Sequence, residues 1–189
     1  MKEIDFKKIV NTFETIADRI TYIKAFHCGF LDEVDINKLE PNGYPLLYIE
    51  PGDSVIDVGT MTYTFTLYIM EQTLNQEITE RADMLEESSD GIIHERTARN
   101  DSFNTTLLAL KDVVAIFRQN LSSVNEVQTG DDAGKPIVPT EIILDLPVSA
   151  SPFTARFDNL LTGWSMDITV LVNNTNNLCI TPWYTGDDL

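Results

Sequence analysis

Between Met61 and Met70 the chain reads Met-Thr-Tyr-Thr-Phe-Thr-Leu-Tyr-Ile-Met, with Met61, Tyr63, Phe65, Leu67 and Ile69 on one parity and Thr62, Thr64 and Thr66 on the other. A period of two sends successive side chains to opposite faces of a strand, and aromatic and β-branched residues favour that backbone. The apolar face of such a strand must be covered by a second layer. A candidate cover precedes it. Phe6, Ile9, Val10, Phe13, Ile16, Ala17 and Ile20 recur at the i, i+3, i+4, i+7 spacing of an amphipathic helix, predicted over about residues 3–24.

The flanking segments extend the same layers. Pro45 introduces Leu46-Leu47-Tyr48-Ile49, a short apolar run that predicts a buried strand closed by Pro51-Gly52, and Ser54 to Gly59 reads as an edge element or a hairpin arm. Residues 44–71 therefore predict antiparallel sheet. Phe103, Leu107, Leu110, Val114 and Phe117 follow one another at intervals of four, three, four and three residues and predict a second helix, with Asp101 or Ser102 as its cap. Strands are expected again at Glu141–Leu146, Phe153–Phe157 and Ser165–Val172. Helix, strands, helix and strands without βαβ alternation predict an α+β fold, a mostly antiparallel sheet packed against two amphipathic helices, with extended loops and a C-terminal arm. At 189 residues one domain over 1–189 is expected. An acidic excursion interrupts it at about 71–101, and Asn120 to Pro139 reads as a linker or long loop.

Charge narrows the function. Thirty acidic residues against thirteen basic ones give a formal net charge of −17. Nucleic-acid affinity comes from Lys and Arg displacing counterions, so this chain is expected to repel DNA, although acidity also serves plain solubility. The region 71–101 concentrates the excess, with nine carboxylates, Glu80, Asp83, Glu86 and Glu87 among them, against three arginines. No run reaches the ~18 apolar residues of a membrane span, and Met1-Lys2-Glu3-Ile4-Asp5 has no signal-peptide core, so neither membrane insertion nor secretion is expected.

Catalytic and metal chemistry find little support. Two cysteines, Cys28 and Cys179, and two histidines, His27 and His94, are too few for a disulfide framework or a zinc site. His27 and Cys28 are neighbours whose side chains point apart, and the pair reads as a half-buried thiol beside a surface imidazole at the end of the first helix. The clusters Asp32/Glu33/Asp35, Asp83/Glu86/Glu87/Asp90 and Asp131/Asp132 lack calcium-loop spacing and read as solvated charge. There is no phosphate-binding glycine loop, no dinucleotide pattern and no nucleophile elbow. No cofactor, no metal and no catalytic residue is expected, although acids converging in one pocket would make a carboxylate-dependent hydrolase.

Other features suggest assembly. Phe157-Asp158-Asn159-Leu160-Leu161-Thr162-Gly163-Trp164 reads as an aromatic-bracketed turn between two strands, and the last segment carries Trp183 and Tyr184. Such residues are enriched at protein contacts, which makes Phe157, Trp164, Trp183 and Tyr184 candidate oligomer or partner contacts. A terminal strand docked on its own domain would use Trp183 and Tyr184 equally well.

Taken with the early helix, the Tyr44–Ile49 and Thr62–Ile69 strands, the Phe103–Phe117 helix and the strand pair around Phe157–Trp164, the chain resembles the tail-terminator or tail-completion proteins of tailed bacteriophages. More narrowly it resembles the small ring proteins in the neck and tail of crAss-like podoviruses. The resemblance spans most of residues 3–175 and implies a structural virion protein, made in the host bacterial cytoplasm, that forms a dodecameric ring connecting portal to tail. Its implied partners are copies of itself, neighbouring portal, ring or tail proteins, and viral DNA passing without specific binding. Glu80, Asp83, Glu86 and Glu87 would then belong to a channel-facing or inter-ring loop. The competing expectation is a monomeric acidic adaptor, or a binding protein that mimics nucleic acid.

Overall fold

The computed structural model describes residues 4–30, 43–72, 86–87, 93–94, 98–118, 137–156 and 160–174. Helix α1 spans Phe6–Arg19. It starts where Asp5 caps it, the carboxylate Oδ1 accepting the Lys8 amide at 2.7 Å. It ends where Ile20 turns to an extended backbone, five residues before the stripe predicts, and the Lys24 amide then bonds the Pro45 carbonyl at 2.8 Å. That bond opens strand β1, Ala25–Cys28, which runs parallel to β2, Leu46–Ile56. Sequence patterning had placed Cys28 at a helix end, and four residues are too few to reveal a strand by period.

β2 continues straight through Pro51-Gly52, which the sequence reading takes as a terminus. The register shifts between Pro51 and Ser54, so the pair forms a bulge rather than a stop. The Thr64 hydroxyl donates to the Asp53 carbonyl at 2.8 Å and replaces ladder bonding there. A Cβ on Gly52 would lie 2.6 Å from the Thr64 hydroxyl oxygen, so a side chain there would push that hydroxyl out of its bond. β3, Thr60–Gln72, pairs antiparallel with β2 on one side and along thirteen residues with β8, Leu160–Asn173, on the other. β6, Ile143–Leu144, and β7, Ala150–Arg156, lie end to end on the far edge of β8. The result is a six-stranded, mostly antiparallel mixed sheet with two helices, an α+β fold as the alternation of segments predicts.

Helix α2, Ala98–Arg118, begins earlier than expected, so Asp101 is not its cap but an acid in its first turn, favourable to the helix dipole. Ser102 lies inside the helix, buried, its carbonyl accepting the Thr106 hydroxyl at 2.6 Å. Both helices cover one face of the sheet. Ile9, Phe13 and Ile16 of α1 and Leu110, Val113 and Phe117 of α2 share a core with Phe65, Leu67, Ile69, Ile168 and Val170. Phe13 joins both helices to the sheet, 5.5 Å from Phe65 and 5.4 Å from Phe117 between ring centroids. Ile137 and Val138, at the end of the expected linker, are buried in this core, because two apolar residues after a polar stretch can still pack.

Within the acidic excursion, β3 itself reaches Gln72, and Glu86–Glu87 (β4) pairs with Ile93–His94 (β5) as a separate two-stranded unit. The expected strand over 141–146 contracts to two residues of β6. The expected turn over Phe157–Trp164 is mostly strand, since Leu160 to Trp164 pair with Arg156 to Pro152.

Candidate functional site

Three surfaces of the sheet and helices could carry function. The first is the end of the β2–β3 hairpin. Here β2 has run past β1, whose pairing stops at Ile49, and residues 52–56 form an exposed outer edge. Val55, Ile56 and Val58 are 60%, 72% and 95% exposed. Their backbone is held firmly. The Asp57 amide bonds the Thr60 carbonyl, the Asp57 carboxylate accepts the Val58 amide at 2.7 Å, and Asn174 grips the turn twice, its amide donating to Gly59 O at 3.1 Å and its side chain to Asp57 O at 2.7 Å. Rigid apolar side chains in solvent are what a contact surface requires.

The second is the outer face of the sheet, opposite the helices. At one end it is apolar and packed, with Leu46, Tyr48, Met70 and Leu161 buried and Tyr68 and Phe153 against them. At the other end Thr62, Thr64, Thr66, Asp167 and Thr169 form a polar carpet. The Thr66 hydroxyl donates to Asp167 Oδ1 at 2.7 Å, and the Tyr68 hydroxyl donates to Glu50 Oε2 at 3.3 Å. Burial, then the Glu50 carboxylate by charge and hydrogen bond, then the Asp167 charge push the Tyr68 phenol above its ordinary range. The described residues of this end are therefore acidic and accept hydrogen bonds, and no Lys or Arg is among them.

The third is a cavity of about 360 Å³ between the second half of α2 and the sheet, lined by Leu107, Leu110 and Val114 with Val148 and Met166, and flanked by Lys111 and Arg118. Leu107 and Val114 belong to the helix stripe that the sequence assigns to the core. The sheet covers only part of that stripe, and these two residues are half-buried around an opening.

Of the residues expected at contacts, Trp164 is described. It stands on the helix face of β8, half-buried, its indole N–H donating to the Phe103 carbonyl at 2.9 Å and its ring 6.1 Å from Phe103, edge to face. Its ring anchors the start of α2 to the sheet within one chain. Phe157, Trp183, Tyr184, Glu80 and Asp83 lie outside the described residues, as do Asp32, Glu33, Asp35, Asp90, Asp131 and Asp132. Glu86 and Glu87 are described only as the backbone of β4.

His27 and Cys28 alternate across β1, as neighbours in a strand must. His27 is exposed beside Tyr48 on the outer face, whereas Cys28 packs against the main core, where burial raises its thiol pKa. They cannot act as a nucleophile and base. Among the described residues no three His, Cys, Asp or Glu side chains come together to hold a metal, and no helix there is long and apolar enough to cross a membrane. Sequence reasoning missed Asn174 and the Lys111/Arg118 pair. The spacing of 111 and 118 by seven, each one residue after a position of the α2 stripe, was the available signal for the pair; nothing local marks Asn174. Comparison of the chain with protein-family models and with curated proteins finds no match.

Proposed function

We propose that this chain is a structural subunit, not an enzyme, of a dodecameric ring in the neck or tail of a tailed bacteriophage, connecting portal to tail around a DNA passage. The observation that carries the reading is the hairpin end, where Val55 and Ile56 at the end of β2 and Val58 in the turn that Asn174 locks stand exposed. Apolar surface left in water costs about 25 cal/mol per Å², and a turn held this firmly cannot fold the three side chains away. A neighbouring subunit can cover them, and the edge of β2 beside them, unpaired among the described residues, can add a strand from that neighbour.

The charge supports the passage. A net −17 per copy, with the Asp167 and Glu50 carboxylates on the outer sheet face, repels the DNA backbone rather than holding it during transit. Portal, ring and tail proteins are the expected neighbours, the virion is the site of action, and no cofactor or membrane has a part in this function. Native mass spectrometry tests the reading: the chain should form a closed oligomer, and Val55→Ser/Ile56→Ser/Val58→Ser should shift it towards monomer while its unfolding midpoint stays in place. A wild-type chain that stays monomeric at every concentration, as an acidic adaptor would, overturns it.

A further inference from the structure

The cavity beside α2 joins an apolar floor to two cations in a chain that has only thirteen. Lys111 and Arg118 are both exposed, so their charges stand at its mouth. They lie seven residues apart, about 10 Å along the helix axis, and their long stems allow both heads to converge on one small acidic group. A volume of about 360 Å³ is at the small end of the ~300–1,000 Å³ typical of ligand sites. It suits one large side chain with a little of its backbone.

The same sequence carries a segment of matching chemistry. Residues 183–188 read Trp-Tyr-Thr-Gly-Asp-Asp, aromatic first and doubly acidic a few residues later, and they lie outside the described residues. We propose that the α2 cavity receives this segment from a second copy of the chain, with Trp183 entering between Leu107, Val114 and Met166 and with Asp187 and Asp188 meeting Lys111 and Arg118. The proposal rests on the ring reading and names one of its contacts.

Geometry favours the neighbour's segment over the chain's own. β8 passes the cavity at Met166 and carries the chain on to Asn174, which is bonded to the hairpin turn. Those eight residues of strand cover about 27 Å. To return Trp183 to its own cavity the nine residues after Asn174, with a reach of about 30 Å, would have to reverse at once and run back almost fully extended. A neighbour in a ring can be reached without that reversal.

Cysteine trapping tests this on the full chain. Ala115→Cys and Thr185→Cys are placed together in a chain with Cys28→Ser and Cys179→Ser, which leaves Trp183 and both aspartates in place. Mild oxidation should yield covalent dimers and higher multiples on a non-reducing gel. A link formed only within single chains overturns the second-copy assignment, and no link overturns occupancy of the cavity. Lys111→Glu/Arg118→Glu should lower trapping about tenfold, as two repelled pairs at a rim would, and Asp187→Lys/Asp188→Lys should restore it. Undiminished trapping after the first reversal overturns the charge pairing. Native mass spectrometry of the same samples separates the two readings. A closed ring without trapping sinks the cavity contact alone, a strict monomer sinks both, and a chain that retains a small apolar anion in place of the segment also overturns the contact.

Discussion

Gly163 stands inside β8, fourth of its fourteen residues, where a strand ordinarily favours larger residues. A Cβ there would run into the Ile69 carbonyl and the Met70 Cα of the paired strand. The close approach of β3 explains the glycine, and no helix cap or turn is involved. Gly163→Ala should therefore cost about 3 kcal/mol or more, the upper end of overpacking, read as a lowered midpoint in urea. A loss under about 1 kcal/mol would show that β8 can shift without penalty. Thr162 beside it is fully buried, and its hydroxyl has no hydrogen-bond partner among the described residues, so its methyl rather than its oxygen fits the packing.

α1 shows how one residue positions an element. Ile9, Phe13, Ile16 and Ala17 are buried as the stripe requires, whereas Phe6 at its start is 41% exposed and leans on Tyr63 and Phe65, 6.3 and 5.9 Å between centroids. The first turn is thus weakly packed and depends on its Asp5 cap. Asp5→Ala should cost about 1 kcal/mol and increase amide exchange at residues 6–9 more than at 13–17. Equal exchange along the helix would mean that packing alone holds the turn. In α2 the stripe divides: Leu110 and Phe117 enter the core, Phe103 meets Trp164, and Leu107 and Val114 line the cavity.

The whole molecule should lose stability in alkali. Burial raises the pKa of Tyr44 and Cys28, and burial with Glu50 and Asp167 raises that of Tyr68. Between the ordinary values, near 9 for the thiol and 10 for the phenols, and the raised ones, the folded chain keeps protons that the unfolded chain has lost. The unfolded state then binds fewer protons, and stability falls as pH rises. The contribution is fully present below the ordinary values and is lost as pH climbs through the raised ones. Urea midpoints should drop as pH rises above the ordinary values of these groups, and Tyr68→Phe should flatten part of that drop. An unchanged slope in the variant would remove Tyr68 from the account.

The two layers were legible in the chain because burial repeats at a fixed period. Met61 to Ile69 and Ile9 to Ile20 declare strand and helix because the local backbone alone fixes which side chains share a face. The parallel strand β1, the bulge at Pro51-Gly52, the strand character of Leu160 to Trp164 and the partial burial of the α2 stripe were not legible. Ala25–Cys28 is too short for a period, and Pro51-Gly52 carries turn residues that a bulge uses as readily as a terminus. Gly163 looks like a turn until Ile69 is seen against it. The three candidate surfaces follow the same division. Trp183, Tyr184 and the acids could be picked out by type alone, but an exposed hairpin end and a cavity between Val114 and Met166 depend on how far one element covers another, and that is set by packing between residues fifty or more positions apart.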